Sequence, residues 1–262
     1  MKIKRKLIKL DWLAKAQFGI DVRLLLTALF RIPKYIADLI EFRRDYKGEL
    51  KLVPSLHDRY SSNGDYEHEY FWQDLYVAKR IYLENTETHL DIGSRIDGFI
   101  SNLATFRTVE VLDIREQTIN IPNVHFQQAN LMDVASIAKY SQKYSSISCL
   151  HTIEHFGLGR YGDPIMVDGF DVGFKNICTM LKHNGILYIA TPISNRSFVE
   201  FNSNRVTDYK VVLKRADDFQ LKLLEFRTIT ALGVSESEAE QPAMLMDAVD
   251  DYILGLFIFK LN

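Results

Sequence analysis

The run Thr88-His89-Leu90-Asp91-Ile92-Gly93-Ser94-Arg95-Ile96-Asp97-Gly98-Phe99 constrains the fold of this chain more than any other stretch. A short apolar segment ends in Asp91, turns through two glycines and enters Phe99–Phe106, which has helical spacing. A strand, a glycine-bearing turn and a helix N-terminus form the ligand-cradling corner of a doubly wound sheet. Gly93 permits the tight turn, and Gly98 lets the helix start close against the sheet. The spacing invites comparison with G-x-G-x-x-G, whose middle glycine lets backbone approach a pyrophosphate. Here the middle position is Arg95. That argues against a dinucleotide and for a nucleoside ligand without phosphate.

The surrounding pattern extends this corner into a domain. A helix at Tyr70–Leu83 and a turn at Asn85-Thr86-Glu87 precede the strand Thr88–Ile92. Further strands are expected at Thr108–Asp113, Val124–Ala129, Ser145–His151 and Ile186–Ala190, the last cut off by Thr191-Pro192. Helical spacing recurs at Met132–Tyr140, Val167–Leu181 and Val206–Phe219, with Lys182-His183-Asn184-Gly185 as a helix stop. Strands at Leu221–Ile229 and Tyr252–Lys260 have no long helical pattern between them, which suggests an antiparallel pair at one edge. Strands alternating with helices predict an α/β fold with a mainly parallel sheet covered on both faces. No internal repeat is found.

The chain is 262 residues long, 47% apolar and 25% charged, as expected of a globular protein with a sizeable core. The net charge of −2 gives no reason to expect nucleic acid as a partner. The charge is uneven, however: residues 1–47 hold twelve Lys/Arg against five Asp/Glu. Within that basic segment Val22–Phe30 and Tyr35–Phe42 have helical spacing, with Pro33 placed to open the second helix. We therefore divide the chain into a basic helical extension, residues 1–60, and a main domain, residues 61–262. The extension serves either peripheral membrane contact through residues 1–45, or packing on the main domain or on a second subunit as a homodimer. Gly48–Asp65 reads as a connecting loop. No apolar run approaches the ~18 residues of a membrane span, and the start lacks the features of a signal peptide. Cys149 and Cys178 lie in apolar surroundings, which points to a reducing cytoplasm.

Ligands of doubly wound sheets sit beyond the carboxyl ends of the strands. That rule selects Gly93–Gly98, Asp113, Ala129-Asn130-Leu131 and His151–His155. Asp113 follows Asp91 by 22 residues and ends the second strand, where a carboxylate accepts both hydroxyls of a ribose. The bland alternative is a helix cap. Asn130 suits an adenine edge or, more simply, a turn. S-adenosylmethionine (SAM) is the cofactor that fits this set. Tyr70 and Trp72 either cover the cofactor or pack in the core. His151-Thr152-Ile153-Glu154-His155 also fits H-x-x-E-H, a zinc-peptidase pattern that places two histidines on one helix face. His151 ends a strand and no helix encloses the run, so no metal site is expected.

The order Leu90-Asp91-Ile92-Gly93, Val111-Leu112-Asp113, Gln128-Ala129-Asn130-Leu131, Leu150–His155 and Asn184-Gly185-Ile186-Leu187 resembles the class I SAM-dependent methyltransferases, over roughly residues 66–262. More narrowly, Tyr70-Phe71-Trp72-Gln73-Asp74-Leu75, Asp91–Gly98 and Gly157-Leu158-Gly159-Arg160-Tyr161-Gly162-Asp163-Pro164 resemble a branch typically encoded among bacterial surface-polysaccharide (capsule or O-antigen) genes. The resemblance implies a Rossmann-like sheet with an antiparallel last strand. It also implies Asp91, Gly93 and Gly98 at the methionine side of SAM, Asp113 at the ribose, and Asn130 with Leu131 at the adenine. The expected reaction is O-methylation of a sugar hydroxyl, on a nucleotide-linked sugar. His155 is the preferred general base, His151 lies beside the cofactor, and Asp163 is a rival base. Arg160, with Tyr161 beside it, is suited to hold a phosphate bidentately. Asn202 and Arg205, after the fifth strand, supply a second acceptor clamp. Where the superfamily's first motif carries glycines, this chain has Arg95 and Asp97. That departure motivates the alternative of an inactive SAM-fold protein serving as a partner of glycan-assembly enzymes.

Overall fold

The order of the strands in space is set by which hydrophobic runs pair. The computed structural model describes residues 14–15, 17–57, 66, 68–235 and 252–262. The chain divides into two units, residues 1–65 and 66–262.

In the first unit the described helix is α1, Val22–Asp45, whose start is capped by Asp21 accepting from the amide of Leu24. The two helices expected over Val22–Phe30 and Tyr35–Phe42 are one, with Pro33 inside it. Proline already has a helical φ and removes only one amide, so helical segments on both sides carry the helix through. No residue of α1 is buried. The basic run before residue 14 lies outside the described residues, as do residues 58–65 of the connecting loop.

The second unit opens with α2, Glu69–Glu84. His68 accepts from the amide of Phe71 at its start, and Asn85 ends it in the left-handed conformation. Strands β1 (His89–Ile92), β2 (Val109–Asp113), β3 (Val124–Gln128), β4 (Tyr144–Leu150) and β5 (Leu181–Ser194) follow. After these come β6 (Phe198–Glu200), β7 (Asn204–Asp208), β8 (Leu221–Thr230), β9 (Gly233–Val234) and β10 (Ile253–Leu261). The sheet order is β3-β2-β1-β4-β5-β10-β8-β9. The first five strands are parallel, and β10 runs antiparallel to both neighbours. The expected antiparallel pair, β8 with β10, lies at the β9 end of the sheet, and within it β10 inserts between β5 and β8. Its near-continuous burial, through Leu256, Phe257, Ile258 and Phe259, requires neighbours on both sides.

Helices cover both faces. On one lie α4 (Val134–Ile137), α5 (Gly169–Met180) and α6 (Tyr209–Asp218), with a core of Phe174, Ile177, Leu187, Phe226 and Phe257 among others. On the other lie α2 and the turn after β1, a wide helical turn at Ile96–Ile100 running into α3 (Ser101–Ala104), around Val77, Ile81, Phe99 and Leu103.

Three local expectations changed. Residues 182–185 do not end a helix: α5 stops at Met180 and these residues bulge from β5, whose pairing with β4 jumps from Tyr144↔Leu181 to Ser146↔Ile186. The left-handed residue of the bulge is Asn184 rather than Gly185. Pro192 does not cut β5. The register with β4 ends at Ala190 and that with β7 starts at Ile193, so on that side no ladder asks for an amide at 192. Residues 206–208, expected to open a helix, belong to β7 instead, and α6 starts only at Tyr209, capped by Asp208. Between the last two expected strands, Gly233–Val234 form β9 and residues 236–251 lie outside the described residues.

Candidate functional site

A cleft opens at the carboxyl ends of β1, β2, β3 and β4. Its first wall is the turn after β1. Gly93 has φ +70°, and a Cβ there would lie 2.5 Å from Thr152 Cγ2. Only glycine lets the β1 turn meet the β4 loop this closely. Asp91 does not line the cleft but stands behind it, fully buried. Its Oδ1 accepts from the amide of Ser94 (3.0 Å) and its Oδ2 from the hydroxyls of Ser94 (2.8 Å) and Ser148 (2.6 Å). Burial pushes its carboxyl up to about 7, against the pull of those hydrogen bonds. Asp91 thus braces the turn. Gly98 is also off the cleft, and its missing side chain makes room for Asp74: a Cβ there would lie 2.6 Å from Asp74 Oδ2. Arg95 pairs with Asp97 at the exposed rim, Nη2 to Oδ2 2.7 Å.

The second wall follows β2 and β3. Asp113 lines the cleft, gripped by Arg115, which donates from its amide and Nε to Oδ1 (2.8 and 2.9 Å) and from Nη2 to Oδ2 (2.6 Å). Asn130 and Leu131 line it too, and Asn130 Oδ1 accepts from the amide of Met132 (3.0 Å). Asn130 is therefore a turn former at the place where an adenine reader is expected.

The third wall is the segment after β4. His151 has φ +53°, a strained value for a non-glycine residue of the kind found at functional sites. Its Nδ1–H donates to Glu154 Oε1 (2.8 Å), its ring lies 4.4 Å from that of Tyr70, and its Nε2 is buried without a partner. A short helical turn, Ile153–His155, follows, so the two histidines do not share an α-helix as the peptidase pattern requires. His155 Nδ1–H donates to the carbonyl of Ser203 (2.7 Å), which leaves Nε2 as the basic nitrogen. Burial holds the imidazole below its ordinary value, so it is neutral at pH 7.

Gly157–Pro164 is a loop with its own fastening. Asp163 accepts from the amides of Gly157 (2.8 Å), Gly159 (3.1 Å) and Tyr161 (3.2 Å). Asp163 lines the cleft, with its carboxylate engaged in closing the loop. Arg205 holds the loop's base by donating to the carbonyls of Phe156, Met166 and Val167. It is absent from the cleft lining, as is the exposed Asn202 on the β6–β7 turn. The second clamp does not form because β6 and β7 fold this segment into a hairpin beside β5. Arg160 and Tyr161 do reach the cleft. The Tyr161 ring takes Arg115 at 4.8 Å, Arg160 at 5.2 Å and the edge of His155 at 5.4 Å.

Tyr70, one of the two aromatic residues singled out from sequence to cover the cofactor or pack in the core, lines the cleft; Gln73, Asp74 and Arg115 also line it and are not among the residues selected from sequence. A detectable signal existed for Asp74: it is a carboxylate on the core-facing side of α2, beside Gln73, Val77, Ala78 and Ile81. Trp72 packs away, donating Nε1–H to the carbonyl of Ala231.

With this strand order, solved structures of three proteins can be compared. The cyclase SpnF superposes with a TM-score of 0.52 at 12% identity, covering 72% of this chain and 79% of its own. A geranyl diphosphate methyltransferase in complex with SAM gives 0.52 at 11% identity, covering 72% and 84%. The Burkholderia thailandensis 1,6-didemethyltoxoflavin-N1-methyltransferase, bound to 1,6-didemethyltoxoflavin and S-adenosylhomocysteine, gives 0.51 at 10% identity, covering 73% and 79%. The fold is that of the class I SAM-dependent methyltransferases. Residues 101–213 also match a family model described as a Caenorhabditis protein of unknown function, DUF268. No curated protein matches the sequence. In this fold the cleft lies where methyltransferase-fold sheets take their ligand, at the carboxyl ends of the parallel strands.

Proposed function

We propose that this protein is a SAM-dependent O-methyltransferase acting on a sugar hydroxyl of a nucleotide-linked sugar, in surface-polysaccharide biosynthesis. The carrying observation is the junction of a Gly93 turn, the Asp113 carboxylate and a buried neutral His155 in one cleft. The sugar and its pathway rest on the likeness of Gly157–Pro164 to the polysaccharide-associated branch. The residues present fit SAM. Gly93 lets the β1 turn close against Thr152 as one wall of the cleft, Asp113 offers a carboxylate for ribose hydroxyls, and Asn130 and Leu131 border the adenine side.

SAM supplies a sulfonium methyl, an electrophile that reacts by in-line displacement. The chain's contribution is chiefly to position the acceptor. His155 takes the acceptor's hydroxyl proton at Nε2, its Nδ1–H anchored on Ser203. Proton removal of this kind contributes about 10²–10⁴-fold. Arg160, which donates from Nη1 to the carbonyl of Ser203 (2.9 Å), offers its remaining N–H groups to an acceptor phosphate. The test is to supply SAM with a panel of nucleotide sugars and look by mass spectrometry for one that gains a methyl group.

A second reading is a SAM-fold protein without activity that serves as a binding partner of glycan-assembly enzymes. Arg115 on Asp113 favours it, because a guanidinium fork occupies both oxygens that a ribose needs. Calorimetry separates the two: the first reading requires SAM binding at micromolar concentration. We read the protein as cytoplasmic, in keeping with its two free, buried cysteines. Among the described residues no helix is long and apolar enough to cross a membrane. The apolar stripe of α1, with Leu25, Leu29 and Ile36 exposed, suits peripheral contact at the inner membrane face, with a homodimer contact as the competing use.

A further inference from the structure

The part of the cleft lined by α2 is polar, buried and incompletely satisfied. Gln73 is 1% exposed and Asp74 8% exposed, and both line the cleft. Gln73 Nε2 donates to Asp74 Oδ1 (3.0 Å), which leaves Gln73 Oε1 buried without a partner. Asp74 Oδ2 receives no hydrogen bond among the described residues, and no basic side chain forms an ion pair with it. His151 Nε2, on the facing loop, is the third acceptor in this part of the cleft without a donor, since its Nδ1 carries the proton shared with Glu154. A buried carboxylate is costly unless a cation or strong donors meet it, and so are buried unpaired acceptors. The fold nevertheless makes room for this one: Gly98 is the residue whose side chain would collide with Asp74 Oδ2.

The missing partner has a definite chemistry. It must carry positive charge, bring several N–H donors to one point, and be small enough to enter beside the Gly93 turn. A guanidinium is planar and would need paired acceptors in one plane, whereas a primary ammonium directs three donors outward from a single atom. We propose that Asp74 and Gln73 form a subsite for a primary ammonium group, the α-amino group of the methionine moiety of SAM, with His151 Nε2 as a further acceptor. The assignment rests on the SAM reading above. It moves recognition of the cofactor's charged end from Asp91, which is sealed behind the wall on Ser94 and Ser148, to a carboxylate on the preceding helix.

The experiment compares two nucleosides by calorimetry at pH 7.5, on the full chain and its Asp74→Asn variant. S-adenosylhomocysteine carries the ammonium, whereas 5′-methylthioadenosine keeps the adenosine and thioether but lacks the amino-acid end. A charged hydrogen bond of this type corresponds to about a 10- to 150-fold change in affinity. Asp74→Asn is expected to weaken S-adenosylhomocysteine by that factor and leave methylthioadenosine within about twofold. Gln73→Leu is expected to show the same selectivity with a smaller loss. A thermal melt of each variant confirms that it is folded. Equal weakening of both ligands, or no change for either, would overturn the subsite while leaving SAM binding intact. If the unaltered protein binds neither ligand, the SAM reading itself fails and the subsite falls with it.

Discussion

Arg115 holds Asp113 by a two-pronged contact, Nε to Oδ1 at 2.9 Å and Nη2 to Oδ2 at 2.6 Å, while its guanidinium carbon lies 4.8 Å from the centre of the Tyr161 ring. The residue expected to read ribose is thus already bonded to a neighbour two positions along. The Arg115 side chain is 45% exposed, so the pair contributes about 1 kcal/mol or less. A ligand that offers two hydroxyls to the carboxylate can displace it. Arg115→Met is therefore expected to tighten S-adenosylhomocysteine by up to about fivefold. Asp113→Ala should weaken it about 10- to 150-fold. Calorimetry on both variants checks this, and a loss of affinity in Arg115→Met would make Arg115 part of the binding site rather than a competitor.

Asp74 carries a stability signature with a definite sign. Burial raises its carboxyl to about 6, against the lowering influence of Gln73, His151, His68 and Arg95, and the buried Asp91 lies close enough to be raised by it. The folded protein therefore holds a proton that the unfolded chain releases near pH 4, so this group's contribution falls as pH climbs from about 4 to about 6. Above that window the ionised carboxylate carries its full penalty. Asp74→Asn removes it and should stabilise the fold by about 1–3 kcal/mol at pH 7.5, with little gain at pH 4. Denaturant unfolding at the two pH values gives the comparison.

His155 predicts an asymmetric pH profile. Its imidazole is held below the ordinary value of about 6.5 by burial, with Arg160 adding to the effect and Glu154 opposing it. Turnover that depends on the neutral ring should be flat from pH 7 upward and fall only on the acid side, below pH 6.5. His155→Ala should keep S-adenosylhomocysteine affinity and lose about 10²–10⁴-fold in rate. Full activity in that variant would pass the role to His151 or to water.

Arg205 belongs to stability rather than to acceptor binding. It donates to the carbonyls of Phe156, Met166 and Val167 at the base of the 157–164 loop. Arg205→Ala should cost about 1–3 kcal/mol of unfolding free energy. Arg205→Lys should recover little of this, because a point ammonium does not reproduce the fork. A variant as stable as the parent would contradict the role assigned to the fork.

Much of the architecture was legible in the sequence because it is written at short range. The Gly93 turn, the run of apolar strands and the spacing of α5 each depend on residues within a few positions of one another, where φ, ψ and periodicity decide the outcome. Pro192 and Lys182–Gly185 misled for the same reason. Each is a local stop signal, and each was overridden by strand partners more distant in sequence: β10 keeps β5 going, and β4 accommodates the bulge. Pro33 shows the milder form, a breaker carried through by helical neighbours on both sides.

The site divides along the same line. By itself the sequence determined that the strand carrying Asp91 turns through Gly93, that Asp113 ends the next strand, and that His151 and His155 follow a fourth. Only the tertiary structure decided which of these line the cleft. It sealed Asp91 behind Ser94 and Ser148, used Gly98 to make room for Asp74, engaged Asp163 and Arg205 in holding a loop, and turned Tyr70, Gln73 and Asp74 of α2 toward the cleft. The reason is physical. A turn or a strand is encoded in adjacent dihedral preferences, whereas the environment of a carboxylate is set by what packs around it from elsewhere in the chain, and that environment decides whether it braces, binds or reacts.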